Sequence, residues 1–546
     1  MDEGLDDEMG GVMLSNVKLL FVMARYIDVG NAGFASSRRS EYVDKSGLIA
    51  EINKTLFTRN RFSCVSRCRR FGKSMAADML YAYYDRSCNS RELFRGLEIE
   101  GDAEFETHLN KYPVIYVDMT NFMTRSVGDN DIVGVIQQTL VKDVSSVYPS
   151  VVPDEGDDLM DYLLRIHIAT GDQFVIIIDE WDAICREFAP GTTAMDDYVN
   201  LLRRMFKSAD ALRVFVCAYL TGIFPIKKYK TESALNNFRE YSMVMPGALD
   251  RYLGFTKGEV QALCAKHGVE YEDMAKWYDG YKIGREPSMF NPNSVMTALD
   301  NAYFRSYWAT TGAFDAVARY IQLDYEGLKS DIVQMLGGGR CSVKTTFFRN
   351  DPNQIRSKDD VLTALIHLGY LAYDVETQKC YIPNLEVAGE MEGAVSETDW
   401  TEVVRALDAS ERLLEDLLAG DGDAVAAGVE RVHEETVSVL QYNNENSLSC
   451  VLNLAFYAAR NKYKVVREMP AGRGFADVVL VPWRNVDLPA IVVELKWKQG
   501  VRTALDQIRE RNYPASLREY VGEVVLCGIS YDPKTKRHEC VISPQA

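Results

Sequence analysis

The chain has 546 residues, of which 47% are hydrophobic and 26% charged, the proportions of a folded globular protein with room for about three to four domains. Its formal net charge of -18 excludes a protein that wraps nucleic acid with its whole surface, so any such contact must be local. No apolar run reaches the roughly 20 residues that span a bilayer. The eleven cysteines form no CxxC pair and the six histidines show no paired spacing, which sets aside a disulfide scaffold and zinc, and reduced thiols point to the cytoplasm, or to the nucleus in a eukaryote. The acidic stretch Met1 to Val12 reads as a solvated tail.

In the segment Phe62-Ser-Cys-Val-Ser-Arg-Cys-Arg-Arg-Phe-Gly-Lys-Ser-Met75 a β-like run delivers the chain into Gly72-Lys73-Ser74. Gly72-Lys73-Ser74 is the core of a phosphate-binding loop. Backbone N–H groups of a tight turn and the N-terminus of the next helix make a concave anion site, to which Lys73 adds a mobile cation. Ser74 would ligate Mg2+ through its hydroxyl, with Arg70 and Phe71 completing the loop around the phosphates. The usual spacing places a glycine where this chain has Arg67, so the tripeptide alone leaves open a chance Gly-Lys-Ser before an amphipathic helix. Arg59, Arg61, Arg67, Arg69 and Arg70 cluster here, and phosphate binding by at least one of them is expected.

Three further apolar runs supply context. Pro113 to Met119 reads as a buried strand, and Phe174-Val-Ile-Ile-Ile-Asp-Glu180 as another that ends in two carboxylates. Open α/β sheets bind ligands at such strand ends. Asp179 fits the role of holding Mg2+, and Glu180 that of polarising the water that attacks a γ-phosphate. A fourth run, Arg213 to Leu220, ends at Thr221-Gly222 and puts a hydroxyl where the γ-phosphate could be read, although Thr-Gly is also ordinary turn chemistry.

The middle of the chain reads as mostly helical. Thr256 to Glu259 has capping-box spacing and opens a candidate lid. Ser357 to Leu368 is a capped amphipathic helix, and Tyr370 to Tyr373 with Lys379 to Ile382 reads as a short hairpin, together similar to a winged helix. Neither element is rich in Lys or Arg, which favours a plain helix-hairpin linker. Trp400 to Leu418 is another amphipathic helix, followed by Gly420-Asp-Gly-Asp423.

Toward the C-terminus, Gly474-Phe-Ala-Asp477 leads into Val478-Val-Leu-Val481, and Ala490-Ile-Val-Val-Glu-Leu-Lys-Trp497 reads as the returning strand. Side chains alternate along a strand, so Glu494 and Lys496 share a face that Asp477 of the partner strand can reach. Asp477, Glu494 and the Leu495 carbonyl would hold Mg2+, with Lys496 steering a water toward a phosphodiester. A solvated cross-strand pair is the alternative for Glu-x-Lys. Lys498, Arg502, Arg509 and Arg511 near this hairpin read equally well as a phosphate-binding face or a polar helix surface.

Taken together, Tyr42-Val-Asp-Lys45, Ser66 to Ser74, Ile178-Asp-Glu-Trp-Asp182, Leu220-Thr-Gly-Ile223 and Leu235-Asn-Asn237 resemble the predicted AAA-ATPase-like family. Trp277 to Tyr281, Phe290 to Ser294, Ser306-Tyr-Trp308, Leu368 to Leu371 and Ile382-Pro-Asn384 extend the resemblance over most of the chain from about residue 36. In that family the Arg-rich loop without a first glycine is usual, and a C-terminal PD-(D/E)XK nuclease-like domain often follows; Cys68 and Trp181 depart from its pattern. The D…(D/E)xK signature is similar to Asp477, Glu494 and Lys496. That resemblance implies Glu445 as an additional acidic residue of the metal site and Gln507 as a residue contacting the phosphate backbone or the lysine.

The expected fold is α/β: residues 1–35 an N-terminal tail and helix, 36–250 a P-loop ATPase domain with a parallel sheet, 251–400 a helical lid and winged-helix-like region, and 401–546 a restriction-endonuclease-like domain. The expected function is ATP binding and hydrolysis with ATP-gated, metal-dependent cleavage of nucleic acid, DNA ahead of RNA, using Mg2+ or Mn2+. A nucleotide-dependent switch, or a remodeller that binds without cutting, is the alternative. No membrane partner is expected, and a homo-oligomer is compatible with the sequence.

Overall fold

The computed structural model describes residues 24–123, 131–187, 193–226, 235–308, 314–323, 325–349, 355–436, 451–452, 454–471, 474–483, 486–497, 500–510 and 522–544. The tail Met1 to Val12, Glu445, Lys498 and Arg511 lie outside these residues, as do the side chains of Gln507 and Arg509.

Strands β1 (Phe62–Ser66), β2 (Val114–Asp118), β3 (Phe174–Asp179), β4 (Phe215–Gly222) and β5 (Arg239–Tyr241) form one sheet in the order β2-β3-β4-β1-β5. Every pairing in it is parallel. The strands are continuous apolar runs because both faces are covered. Val175 and Ile177 pack with helix α1 (Lys73–Tyr84), while Phe174, Ile176 and Ile178 point into the opposite layer with Phe206. The run predicted from Arg213 enters the sheet only at Phe215, since Ala211–Val214 forms a helical turn. Because β4 lies between β1 and β3, Thr221 sits between the loop after β1 and the acidic end of β3.

The middle region begins with β6 (Phe255–Thr256), whose Thr256 forms the expected capping box with Glu259. It continues through α2 (Tyr271–Tyr278), β7 (Tyr281–Ile283), β8 (Glu286–Phe290), α3 (Pro292–Asn301), α4 (Leu328–Leu336) and β9 (Cys341–Ser342). Helix α5 (Lys358–Leu368) is capped by Ser357, which accepts from the Asp360 N–H, and is followed by the hairpin β10 (Ala372–Asp374) and β11 (Lys379–Tyr381). Strand β9 joins β11, giving a winged-helix-like unit. This region packs directly on the P-loop. The Tyr281 ring meets Phe71 edge-on with centroids 5.4 Å apart, and the Tyr281 hydroxyl donates to the Gly369 carbonyl at 2.6 Å. Gly280, at φ 113, presses so closely on the Pro383 carbonyl that a Cβ would lie 2.1 Å from its oxygen.

Helices α6 (Leu385–Ser396), α7 (Thr401–Leu418) and α8 (Gly422–Thr436) lead to a second large sheet. Its strands are β12 (Tyr463–Ala471), β13 (Gly474–Pro482), β14 (Ala490–Trp497), β15 (Val524–Asp532) and β16 (Arg537–Pro544), in that order. All pairings are antiparallel except β14 with β15. A parallel pair requires a crossover, and α9 (Val501–Glu510) lies on that connection.

Candidate nucleotide and nuclease sites

After β1 the chain turns sharply, with Arg70 (φ 67) and Gly72 (φ 81) both left-handed. The turn places Lys73 at the start of α1, only 4% exposed. Its ammonium donates to the Cys68 carbonyl at 3.3 Å and lies 3.3 Å from Glu180 Oε1. Glu180, at φ 52, stands just beyond β3, and its other carboxylate oxygen is paired with Arg186. Burial acts to raise the pKa of Glu180, but the charges of Lys73 and Arg186 outweigh it and hold the carboxyl below its ordinary value.

Asp179, at the tip of β3, accepts hydrogen bonds from the hydroxyls of Ser74 and Thr221. Burial nevertheless pushes its carboxyl up. The Glu180 N–H lies 3.1 Å from Asp179 Oδ1 and 3.3 Å from Thr221 Oγ1, so the β4 hydroxyl fastens the whole acidic turn. Ser74, Asp179, Glu180, Lys73 and Thr221 therefore come together as the sequence implied. Two carboxylates that the sequence reading passed over join them. Asp118 is in register with Asp179 across β2 and β3. Asp78 lies one helical turn past Ser74, and burial, followed by the charges of Asp179 and Asp118, pushes it up to about 6. The available signal was positional: Asp118 closes a predicted strand, and Asp78 follows Ser74 at i+4. A serine hydroxyl meeting a buried carboxylate is a pair of hard oxygen donors of the kind Mg2+ takes.

The residues after Glu180 bind the turn to the end of β4. Asp182 is fully buried, and its Oδ2 accepts from the backbone N–H of Ile223 at 3.1 Å and of Phe224 at 3.0 Å. The indole of the fully buried Trp181 donates to the Phe224 carbonyl at 3.3 Å.

The arginine cluster divides. Arg67, with no exposed surface, donates to the carbonyls of Ser66, Tyr241 and Leu249. Arg61 donates to the carbonyls of Thr58, Leu212 and Phe215. Both guanidiniums are therefore committed to the protein backbone, which removes them from the expected phosphate binders. Arg70 reaches the Tyr307 carbonyl at 2.5 Å, and Asn291 Nδ2 approaches the Arg69 carbonyl at 3.5 Å, tying the loop to the middle region. Phe71 has no exposed surface; only its backbone remains for a phosphate.

In the second sheet, Val478 pairs with Val493, which puts Asp477 and Glu494 one step beyond that pair on adjacent strands. Asp477 Oδ2 accepts from the Leu495 N–H at 2.7 Å, anchoring the carboxylate to β14. Glu494 and Lys496 share a face, with Lys496 Nζ 3.0 Å from Glu494 Oε1. Glu494 is 1% and Lys496 8% exposed, so this is a buried pair and not a solvated surface one. Two carboxylates and an ammonium at one point of a hairpin offer the hard oxygen donors a divalent cation takes. Among the described residues no group of three or more His, Cys, Asp or Glu converges as a metal site.

Comparison with known proteins finds a domain family for each of the two regions. Residues 30–231 match the family described as predicted AAA-ATPase, and residues 443–540 match the PD-(D/E)XK nuclease superfamily. No curated protein matches the chain. Among solved structures, a Walker-type ATPase of Pyrococcus abyssi is 13% identical, with 64% of this chain and 94% of that one covered and a TM-score of 0.33. The ORC2 protein of Aeropyrum pernix in its ADPNP–ADP complexes is 9% identical, with coverage of 67% and 98% and a TM-score of 0.32. The ORC1 protein of the same organism in complex with DNA is 11% identical, with coverage of 90% and 99% and a TM-score of 0.21. Superpositions this loose carry no functional argument. Among the described residues no helix is long and apolar enough to cross a membrane. The chain thus carries a predicted AAA-ATPase domain at residues 30–231 and a PD-(D/E)XK nuclease superfamily domain at residues 443–540.

Proposed function

We propose that the protein binds and hydrolyses ATP at the P-loop and cleaves nucleic-acid phosphodiester bonds at the C-terminal hairpin, with nucleotide state gating the cut. The observation that carries the nuclease half is the anchoring of Asp477 to β14 beside the buried pair of Glu494 and Lys496. At the P-loop, Lys73 and the backbone from Arg70 to Ser74 neutralise and orient the β- and γ-phosphates, Ser74 and Asp179 hold Mg2+, and Thr221 fixes Asp179. Glu180 accepts the proton of the attacking water. At the hairpin Asp477 and Glu494 hold Mg2+ or Mn2+, with Glu445 and Gln507 in support, and Lys496 orients the water. Bound Mg2+ supplies charge neutralisation and a more acidic water. The substrate is nucleic acid, DNA ahead of RNA, met in the cytoplasm.

Labelled single- and double-stranded DNA and RNA, incubated with Mg2+ or Mn2+ and with or without ATP, test this reading. Cleavage by the wild type that is lost in Lys496→Ala supports it; no cleavage under any condition refutes the nuclease. Cleavage rates indifferent to ATP, ADP and Lys73→Ala would remove the gating step alone. A second reading, a nucleotide-dependent switch with slow turnover, draws on the two cations that hold Glu180, because a carboxylate kept ionised by Lys73 and Arg186 is a weak proton acceptor. Tight ATP binding with a turnover unchanged by Glu180→Gln would favour it.

A further inference from the structure

The middle region and the nuclease-like domain meet along a cleft of about 320 Å³ that neither site uses. Its walls come from α2, the end of α4, the segment leading into α6, the start of β12, and Trp483 just past β13. Three cations, Lys276, Arg460 and Lys464, line it, and among the described residues none of its lining is acidic. In a chain of net charge -18 such a cationic enclosure stands apart from its surroundings. Lys276 sits over the Trp483 ring, 4.5 Å from its centroid, and donates to the Asn461 carbonyl at 3.0 Å. Arg460 donates to the Leu336 carbonyl. The carboxylates whose charge acts on them, Asp273 on Lys276 and Glu392 on Arg460, are not among the described lining residues. Ile382 and Pro383 form an apolar wall.

The cleft is separate from the nuclease hairpin. Trp483 lies six residues beyond Asp477, about 20 Å away at the rise of an extended strand. It is large enough for a small ligand, since such pockets begin at about 300 Å³. Cations that bind phosphate, an indole beside them and an apolar surface for a flat ring are what a nucleotide requires.

We propose that this cleft is a second nucleotide site, binding a nucleoside monophosphate with its phosphate on Lys276 and Lys464 and its base against Trp483. Burial lowers Lys276 to about 8, and an anion beside its ammonium would favour the charged form. The inference does not depend on catalysis at either domain.

The test is calorimetric titration of full-length Lys73→Ala protein, whose P-loop is disabled, with AMP, GMP, CMP and UMP, and with inorganic phosphate. Saturable one-to-one binding of at least one nucleotide is expected, with phosphate at least tenfold weaker. Adding Lys276→Ala or Trp483→Ala should weaken binding at least tenfold at unchanged Tm, whereas Trp483→Phe should retain it. Lys464 is exposed, so Lys464→Glu provides a variant that folds even if Lys276→Ala does not, and it should also lose binding. No saturable binding by any of the four nucleotides, phosphate binding as tight as theirs, or affinity indifferent to Lys464→Glu would each overturn the proposal.

Discussion

Lys73 and Glu180 form an ion pair, 3.3 Å from ammonium to carboxylate, that joins the P-loop to the acidic end of β3. The cation expected to meet the γ-phosphate and the carboxylate expected to meet the attacking water are thus each other's partners. Phosphate entering the loop must compete with Glu180 for Lys73. Glu180→Gln removes that competition together with the proton acceptor. ATP should then bind at least as tightly as to wild type while turnover falls about 100-fold, the usual worth of a general base. Equilibrium binding of a fluorescent ATP analogue, alongside a phosphate-release assay, reads the two effects separately; weaker ATP binding would contradict this account.

Arg67 occupies the position where the common phosphate-loop pattern has glycine, yet it serves the fold. Its guanidinium satisfies three buried carbonyls, two of them belonging to Tyr241 and Leu249 far along the chain. Arg67→Met should cost about 3 kcal/mol or more, since each buried carbonyl left without a donor costs about 1–3 kcal/mol. The loss should appear in chemical denaturation. A variant as stable as wild type but defective in ATP binding would return Arg67 to the phosphate.

Arg67 shows where sequence reading stops. The strands Phe174–Asp179 and Ala490–Trp497 were legible to within a residue, the first because a strand buried on both faces leaves an unbroken apolar run, the second because a Val-rich segment after Pro489 marks the returning arm of a hairpin. The meeting of Ser74, Asp179, Glu180 and Thr221 was legible too, since motif order and strand ends constrain one another. Arg67 was not, because whether it faces a phosphate or a carbonyl is settled by Tyr241 and Leu249, more than 170 residues away. Asp78 and Asp118 were hidden for a similar reason: their proximity to Asp179 comes from β2 pairing with β3 and α1 lying over the sheet. The cleft at Lys276 and Trp483 joins segments some 200 residues apart, which periodicity does not connect.

At the hairpin, charge and scaffold can be separated. The Asp477 carboxylate anchors the Leu495 N–H, and an asparagine carbonyl oxygen can accept the same bond. Asp477→Asn should abolish cleavage with Tm nearly unchanged, whereas Asp477→Ala should lose cleavage and about 1–2 kcal/mol of stability as well. Cleavage surviving in Asp477→Asn would exclude that carboxylate as a metal ligand.

The nuclease-like domain should lose stability in mild acid. His433 and His538 are packed together, with ring centroids 5.1 Å apart, and burial depresses each to about 4; the charge of His433 further opposes protonation of His538. An unfolded histidine takes up its proton near pH 6.5, so between about 6.5 and 4 the unfolded chain binds more protons and stability falls as pH falls. Full titration of one such imidazole is worth on the order of 3 kcal/mol. Among the described residues neither buried ring nitrogen of His538 has a hydrogen-bond partner, which makes His538→Phe a tolerable exchange. That variant should show a shallower decline in unfolding free energy between pH 7 and pH 5 than wild type; parallel declines would show that other groups carry the acid sensitivity.

Gly222 closes β4 directly beneath the acidic turn. A Cβ there would stand 2.6 Å from the Trp181 ring and 2.8 Å from Asp182 Oδ1. Both neighbours are fully buried, and Asp182 is fixed by two backbone N–H groups, so neither has room to withdraw. Relief must come from the turn itself, which carries Glu180 in a left-handed conformation that already costs about 1–3 kcal/mol. Gly222→Ala is therefore expected to destabilise the protein by about 1–3 kcal/mol through overpacking. Because the strain is released at Glu180, ATP turnover should fall more than ATP affinity. A smaller residue at Trp181 opens space for the added methyl, so Trp181→Phe combined with Gly222→Ala should recover part of the turnover lost in Gly222→Ala alone. Losses that simply add in the double variant would show that the indole does not transmit the effect from β4 to the catalytic turn.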